Sequence, residues 1–256
     1  MDEKHFSTAK AASSKDVLGF YDRYADEWDS RFGSARSVAA FHRIRLASFL
    51  RVARLKPAEQ AMELGVGTGP YVDAIAPLVR RLVCVDGSVK MLERFRAEHQ
   101  SLRNVTTLRL DLEEPICTDE EPVDVLYAFG LFEHIVDVNA FLRNCRVLLL
   151  PRGRLIIVGV NGRSWWYGWM RRLWRAGRHC STDRYYTKEA LDGLLTRHGF
   201  VPDSCHYWGY FPAGIGSFAY WPLRLIGAVV DRTPLRVYAG GLTASYVLVP
   251  DPADVP

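Results

Sequence analysis

After Pro57 the chain falls into short apolar runs, "QAMEL", "RLVCVD", "VTTLRLD", "VDVLYAF" and "RLIIVGV", separated by helical stretches over 71–78, 90–99 and 138–149. Each run is strand-length and rich in Val, Leu and Ile, the texture of strands covered on both faces. Parallel neighbours need a crossover between them, so runs alternating with helices predict an α/β fold: a mostly parallel sheet with helices on both faces. Two helices lead into it over 15–55, where Phe20, Tyr21, Tyr24 and Trp28, then Ile44, Ala47 and Leu50, recur at helical spacing. A helix over 188–198 and the runs "FVPDSCHYW" and "TASYVLV" bring the sheet to seven strands.

Two segments break this rhythm, 162–186 and 209–241. They are expected as substrate-side insertions in a single domain over 1–256, whose residues 1–14 read as a flexible tail. The first insertion holds "RSWWYGWMRRLWRAGRH", with four tryptophans among five arginines and no acid. Read as a helix, it puts Trp166, Trp169, Met170, Leu173 and Trp174 on one face and Arg171, Arg175 and Arg178 on the other. Three uses stay open: packing on the domain, walling a pocket for an apolar substrate, or resting on an anionic membrane surface. The second insertion, "GIGSFAYWPLRLIGAVV" included, is likewise aromatic and apolar, but Pro222 and Arg224 interrupt it short of a membrane span.

With 48% hydrophobic and 24% charged residues the chain is that of a folded protein. Its net charge of +4 sits largely in the arginine-rich stretch, so no nucleic-acid partner is expected; such binding grows with the number of phosphates met. Cys84, Cys117, Cys145, Cys180 and Cys205 form no CxxC pair and are odd in number, which points to reduced thiols rather than zinc or disulfides. The polar opening "MDEKHFSTAKAASSKD" lacks the apolar core of a secretory signal, and a cytoplasmic location is expected, with peripheral membrane contact left open.

The run "MELGVGTGP" ends the first strand and opens a helix, with glycines at 65, 67 and 69 that let the chain turn tightly and a ligand approach the backbone. A dinucleotide fingerprint places its third glycine where Pro70 stands, and a phosphate loop ends in Gly-Lys-Ser/Thr, which is absent. The loop therefore suits a ligand without phosphates. Asp86 ends the second strand about 20 residues on, where an acid accepts hydrogen bonds from ribose hydroxyls. Asp111 follows at the end of the third run, so Glu63, Asp86 and Asp111 line one crevice at the carboxyl edge of the sheet.

Together "ELGVGTG", "VCVDGSVKML", "LDLEEP", "VDVLYAFGLFEHI" and "LLLPRGRLIIVGV" resemble the class I S-adenosylmethionine-dependent methyltransferases over about residues 15–161 and the final strands. The leading "YDRYADEWD" is similar to the small-molecule type found in ubiquinone biosynthesis. The fold implied is Rossmann-like and the cofactor is S-adenosylmethionine. The resemblance implies that Glu63, Gly65, Gly67 and Gly69 hold the methionine part, that Asp86 binds ribose, that Asp111 and Leu112 frame adenine, and that Phe129 sits behind the sulfonium; Tyr21, Gly87 and Met91 join this set.

The resemblance also puts His134, in "FEHI", where substrate meets the methyl group, and an imidazole titrates near neutral pH. Related O-methyltransferases carry Glu-x-x-Glu-His here and can hold a divalent ion. Gly130 replaces the first of those acids, leaving Glu133 and His134, so no metal is expected. The substrate side is expected to include Trp28, Glu133, Trp165, Trp166, Trp169 and Tyr185, around a small apolar or aromatic molecule of quinone-, polyketide- or lipid-like character. O-methylation is the first expectation, N- or C-methylation the alternative, and a non-catalytic cofactor-binding or membrane-associated partner protein the rival. The oligomeric state is not legible.

Overall fold

The computed structural model describes residues 12–28, 36–167, 184–211 and 217–250. Seven strands form one sheet in the order β3-β2-β1-β4-β5-β7-β6: β1 Gln60–Leu64, β2 Arg81–Asp86, β3 Val105–Arg109, β4 Val123–Phe129, β5 Leu149–Val160, β6 Phe200–Trp208 and β7 Gly241–Leu248. All neighbours are parallel except that β7 runs against both β5 and β6. The order reverses between β1 and β4. Connections leave the sheet on opposite sides there, which opens a crevice beyond the carboxyl ends of both strands.

Alternation along each strand divides the core. Met62, Leu64, Val83, Val85, Leu126 and Leu155 face α5 (Val138–Leu148) and α6 (Lys188–Thr196). Ala61, Cys84, Val125, Tyr127 and Ile156 face α2 (Arg36–Ala53) and α4 (Val89–Glu98). Each fully buried aliphatic side chain contributes about 1.5–3 kcal/mol, which favours this placement over any register that would turn it outward. Helix starts are written locally: Ser88, Asp137 and Thr187 each turn a side-chain oxygen onto a free backbone N–H of the first turn of α4, α5 and α6.

Several boundaries differ from the sequence expectation. Residues 71–78 form only α3 (Val72–Ile75) and a 3-10 turn over Ala76–Leu78, because Pro77 withholds the N–H a longer helix needs. The third strand stops at Arg109, so Asp111 stands in the loop beyond it. The fifth starts earlier, at Leu149, directly from α5. The insertion over 209–241 carries α7 (Ser217–Val230), which runs through Pro222, and a 3-10 helix over Pro234–Tyr238. The amphipathic helix expected over 163–179 lies outside the described residues beyond Tyr167.

Helix α1 (Ser14–Trp28) crosses the carboxyl edge of the sheet as a roof. Ser88 Oγ donates to Asp22 Oδ1 at 2.5 Å, Arg94 Nη1 donates to the Ala25 carbonyl at 2.8 Å, and Ser14 Oγ donates to Asp111 Oδ2 at 2.8 Å. Underneath, Gly69 (φ +80°) gives α4 its seat, since a Cβ there would stand 2.6 Å from the Phe95 ring. Gly69→Ala therefore combines a left-handed backbone with an overpacked contact and is expected to destabilise the protein by about 2–4 kcal/mol. Thermal denaturation checks this; an unchanged Tm contradicts it.

Candidate active site

Beyond β1 and β4 lies a cavity of about 590 Å³, within the roughly 300–1,000 Å³ of small-molecule sites. Of the residues expected to hold a cofactor, Glu63, Gly65, Gly67, Asp86 and Gly87 line it. So do Tyr21, Met91, Asp111, Leu112 and Phe129. Gly69 is buried and does not; its missing side chain serves the packing on Phe95 described above. His134, Trp28, Glu133 and Trp166 line the same cavity from the substrate side. Trp165 turns outward instead, 60% exposed, with its ring against Phe211. Tyr185 stands behind the wall, its ring 5.2 Å from that of Tyr167, and Trp169 lies outside the described residues.

At the floor, Asp86 ties two elements together. Its Oδ2 accepts from the Gly67 N–H and its Oδ1 from the Ser88 N–H, both at 2.8 Å. Both oxygens keep lone pairs beyond these bonds, and the residue borders the cavity. Burial raises the Asp86 carboxyl above its usual range, against the pull of the two backbone donors. Farther along, Leu110, Leu112, Ile135 and Met91 make an apolar slot rimmed by Asp111, whose Oδ1 accepts from the Glu113 N–H at 3.0 Å.

The inner end sets a buried carboxyl group, expected from the sequence, beside a guanidinium that was not. Glu63 is 1% exposed, and Tyr127, its register partner on β4, donates to its Oε2 at 3.0 Å. Burial pushes the Glu63 carboxyl up to about 8, opposed by the Tyr127 hydrogen bond and by Arg45. Arg45, from α2, reaches the cavity between the rings of Phe129 and Tyr71, 5.4 and 5.9 Å from their centroids. Its Nη2 donates to the Val158 carbonyl at 3.4 Å, while its buried Nε has no hydrogen-bond partner among the described residues. Beside it the Tyr71 hydroxyl meets His42 Nδ1 at 2.6 Å. Burial raises the Tyr71 phenol and lowers the His42 imidazole, with Arg45 adding to the latter, so both groups of the pair are held in their neutral forms. Arg45, His42 and Tyr71 bear no motif that marks them in the sequence.

At the outer end the Tyr21 hydroxyl lies 3.2 Å from His134 Nε2, and the two rings meet edge to face at 5.5 Å. The His134 loop is pinned from below, where the Glu113 carboxylate accepts from the Val136 and Asp137 N–H groups. Trp166 and Trp208 complete the wall. Trp166 lies flat on Gly240, where a Cβ would stand 2.4 Å from its ring, and its indole N–H donates to the Gly209 carbonyl at 3.2 Å. Among the described residues no group of three His, Cys, Asp or Glu side chains is placed to hold a metal ion. His206 pairs through Nδ1 with Ser48 Oγ at 2.9 Å and does not line the cavity.

A family profile described as a methyltransferase domain matches residues 62–155. The chain is 25% identical over 149 residues to a ubiquinone biosynthesis O-methyltransferase of Coxiella burnetii, covering 57% of this chain and 62% of that protein's length. In fold it is similar to a solved DhpI complex with S-adenosylhomocysteine, at TM-score 0.63 and 20% identity over 93% of this chain and 98% of the other. It is also similar to the N-methyltransferase NodS of Bradyrhizobium japonicum, solved with S-adenosylhomocysteine, at TM-score 0.60 and 14% identity over 91% and 98%.

Glu63 gives the protein a pH signature of its own. Folded, its carboxyl titrates at about 8; its ordinary value is 4.5. The folded chain holds the extra proton between those values, so the group's contribution to stability is complete below about pH 4.5 and is lost as pH rises towards 8. Glu63→Gln, neutral throughout, is expected to gain stability relative to the wild type across that window in urea titrations. Parallel pH profiles contradict the assignment.

Proposed function

We propose that the chain is a class I S-adenosylmethionine-dependent methyltransferase that methylates an oxygen of a small apolar or aromatic molecule, quinone-, polyketide- or lipid-like, with His134 as the proton acceptor. The observation that carries this reading is a single cavity whose inner end suits the donor and whose outer end is an aromatic chamber holding His134.

The residues present fit the donor by their chemistry. Asp86 offers lone pairs to a ribose diol, and the slot of Leu110, Leu112, Ile135 and Met91 takes a flat purine with Asp111 at its rim. Glu63 and Arg45 face a zwitterionic amino-acid end with one group of each sign, and Arg45 Nε is a buried donor lacking a partner among the described residues. When bound, the donor supplies an electrophilic methyl group and departs as a neutral thioether.

The chain's own part is alignment, water exclusion and proton removal. Trp28, Trp166 and Trp208 wall the acceptor end against water. His134 takes the hydroxyl proton as the acceptor oxygen becomes nucleophilic, and the Tyr21 hydroxyl beside its Nε2 helps fix the ring. The carboxylate of Glu133 in the same chamber favours a second reading, a cationic amine acceptor, which fits the naming of NodS as an N-methyltransferase.

A methyl-release assay over phenols, quinols and amines, run beside donor calorimetry, tests the proposal. Turnover of a hydroxylated aromatic is the expected result; turnover of amines alone selects the second reading, and donor binding with no turnover selects a non-catalytic role. With the hydroxylated acceptor, His134→Ala is expected to lower kcat by about 10²-fold or more and leave donor affinity unchanged. Unchanged kcat removes His134 from the reaction.

A further inference from the structure

We propose that the outer face formed by α7, the 3-10 helix over Pro234–Tyr238 and Trp165 is a docking surface for a bilayer rich in anionic headgroups. Leu225, Ile226, Val229, Leu235, Tyr238 and Trp165 each stand between 47% and 63% exposed. Large apolar side chains gathered this densely on one face are uncommon where nothing covers them.

The face is a built feature of the fold. Gly227, on the buried side of α7, packs against the Tyr210 ring, where a Cβ would stand 3.2 Å away. The Tyr210 hydroxyl donates to Asp231 Oδ1 at 2.8 Å at the helix end. These contacts fix the rotation of α7 and aim Leu225, Ile226 and Val229, at positions i, i+1 and i+4, away from the protein. Trp165 is held beside them: its backbone N–H donates to the Tyr238 carbonyl at 3.3 Å and its indole N–H to the Tyr210 carbonyl at 3.1 Å.

Charge selects the occupant. Arg232 and Arg236 are exposed among these apolar residues. Between residues 204 and 250 the one acid is Asp231, which Tyr210 engages, against Arg224, Arg232 and Arg236. A second copy of this chain would set arginine against arginine across a self-complementary contact. Headgroup phosphates meet the arginines while the aliphatic and indole groups enter the interfacial layer, the arrangement of a surface-bound element. Among the described residues no helix is long and apolar enough to cross a membrane, so the contact is peripheral.

The face also backs onto the cavity. Trp165 belongs to the outer surface while its neighbour Trp166 lines the chamber, and β7 starts from this insertion at Gly241, at the same edge of the sheet as the crevice. A bilayer seated here lies one residue from the chamber wall.

Flotation of the full chain with phosphatidylcholine vesicles, and with vesicles containing about one third phosphatidylglycerol, tests the proposal. Expected is flotation with the anionic vesicles only, weakened by salt, about fivefold weaker for each of Arg232→Ala and Arg236→Ala, and lost in Leu225→Glu/Val229→Glu. Because these side chains are exposed, the variants are expected to keep the wild-type Tm and donor affinity; a variant that does not is replaced by Ile226→Glu. No flotation of the wild type, equal flotation with neutral vesicles, or indifference to the substitutions overturns the proposal. So does a dimer in light scattering that dissociates in Leu225→Glu/Val229→Glu, which gives the face to a second copy. Donor calorimetry without vesicles keeps this outcome separate from that of the methyl-transfer reading.

Discussion

A carboxyl group shut away from water at the crest of β1 sets the terms for the inner half of the cavity. Glu63 is one strand position from the glycine loop, bridged by Tyr127 and faced by Arg45, and its burial holds the proton that an exposed glutamate would release. An ionised acid there would carry a heavy desolvation cost, and a neutral apolar residue would leave the Tyr127 hydroxyl without an acceptor. The arrangement is stable in the resting protein and also ready to meet a cation. Arg45 mirrors it with a charge that is never lost, held between aromatic faces and short of one hydrogen bond.

The remaining parts of the site are consequences of sheet topology. The reversal between β1 and β4 creates the crevice; Asp86 fastens the glycine loop to β2, and Asn144, from α5, binds the Leu112 and Glu114 carbonyls to hold the third loop in place. Helix α1 closes the roof through Ser14, Asp22 and Arg94 contacts. The antiparallel β7 lets the insertion before it return to the same edge and bring Gly240 there, where Trp166 after β5 and Trp208 at the end of β6 meet the chamber that the glycine loop opens from the other side.

Much of this was legible because the signals were local. Apolar runs bounded by turn residues located the strands, and the glycine spacing with the acids at 86 and 111 located the crevice. Gly69 stands against Phe95 rather than in the cavity lining, and in sequence a glycine required by packing looks the same as one that makes room for a ligand. Arg45, His42 and Tyr71 were missed because their meeting depends on how α2 crosses the sheet, which no spacing encodes. Trp165 and Trp166 read alike in sequence, but they sit in the turn after β5, where hydrogen bonds to Tyr210 and Tyr238 hold Trp165 outward and a hydrogen bond to Gly209 holds Trp166 against the cavity. The outward face of α7 was illegible for a related reason: the same apolar residues would be spent inside if Gly227 and Tyr210 did not fix the helix as they do.

The central claim is that the buried Glu63 carboxyl is poised to ionise against the ammonium of a zwitterionic donor. Calorimetric titration with S-adenosylmethionine at pH 6.5, repeated in buffers of different ionisation enthalpy, tests it directly. The account predicts net proton release that disappears in Glu63→Gln; donor binding without proton exchange, or exchange that persists in Glu63→Gln, contradicts it.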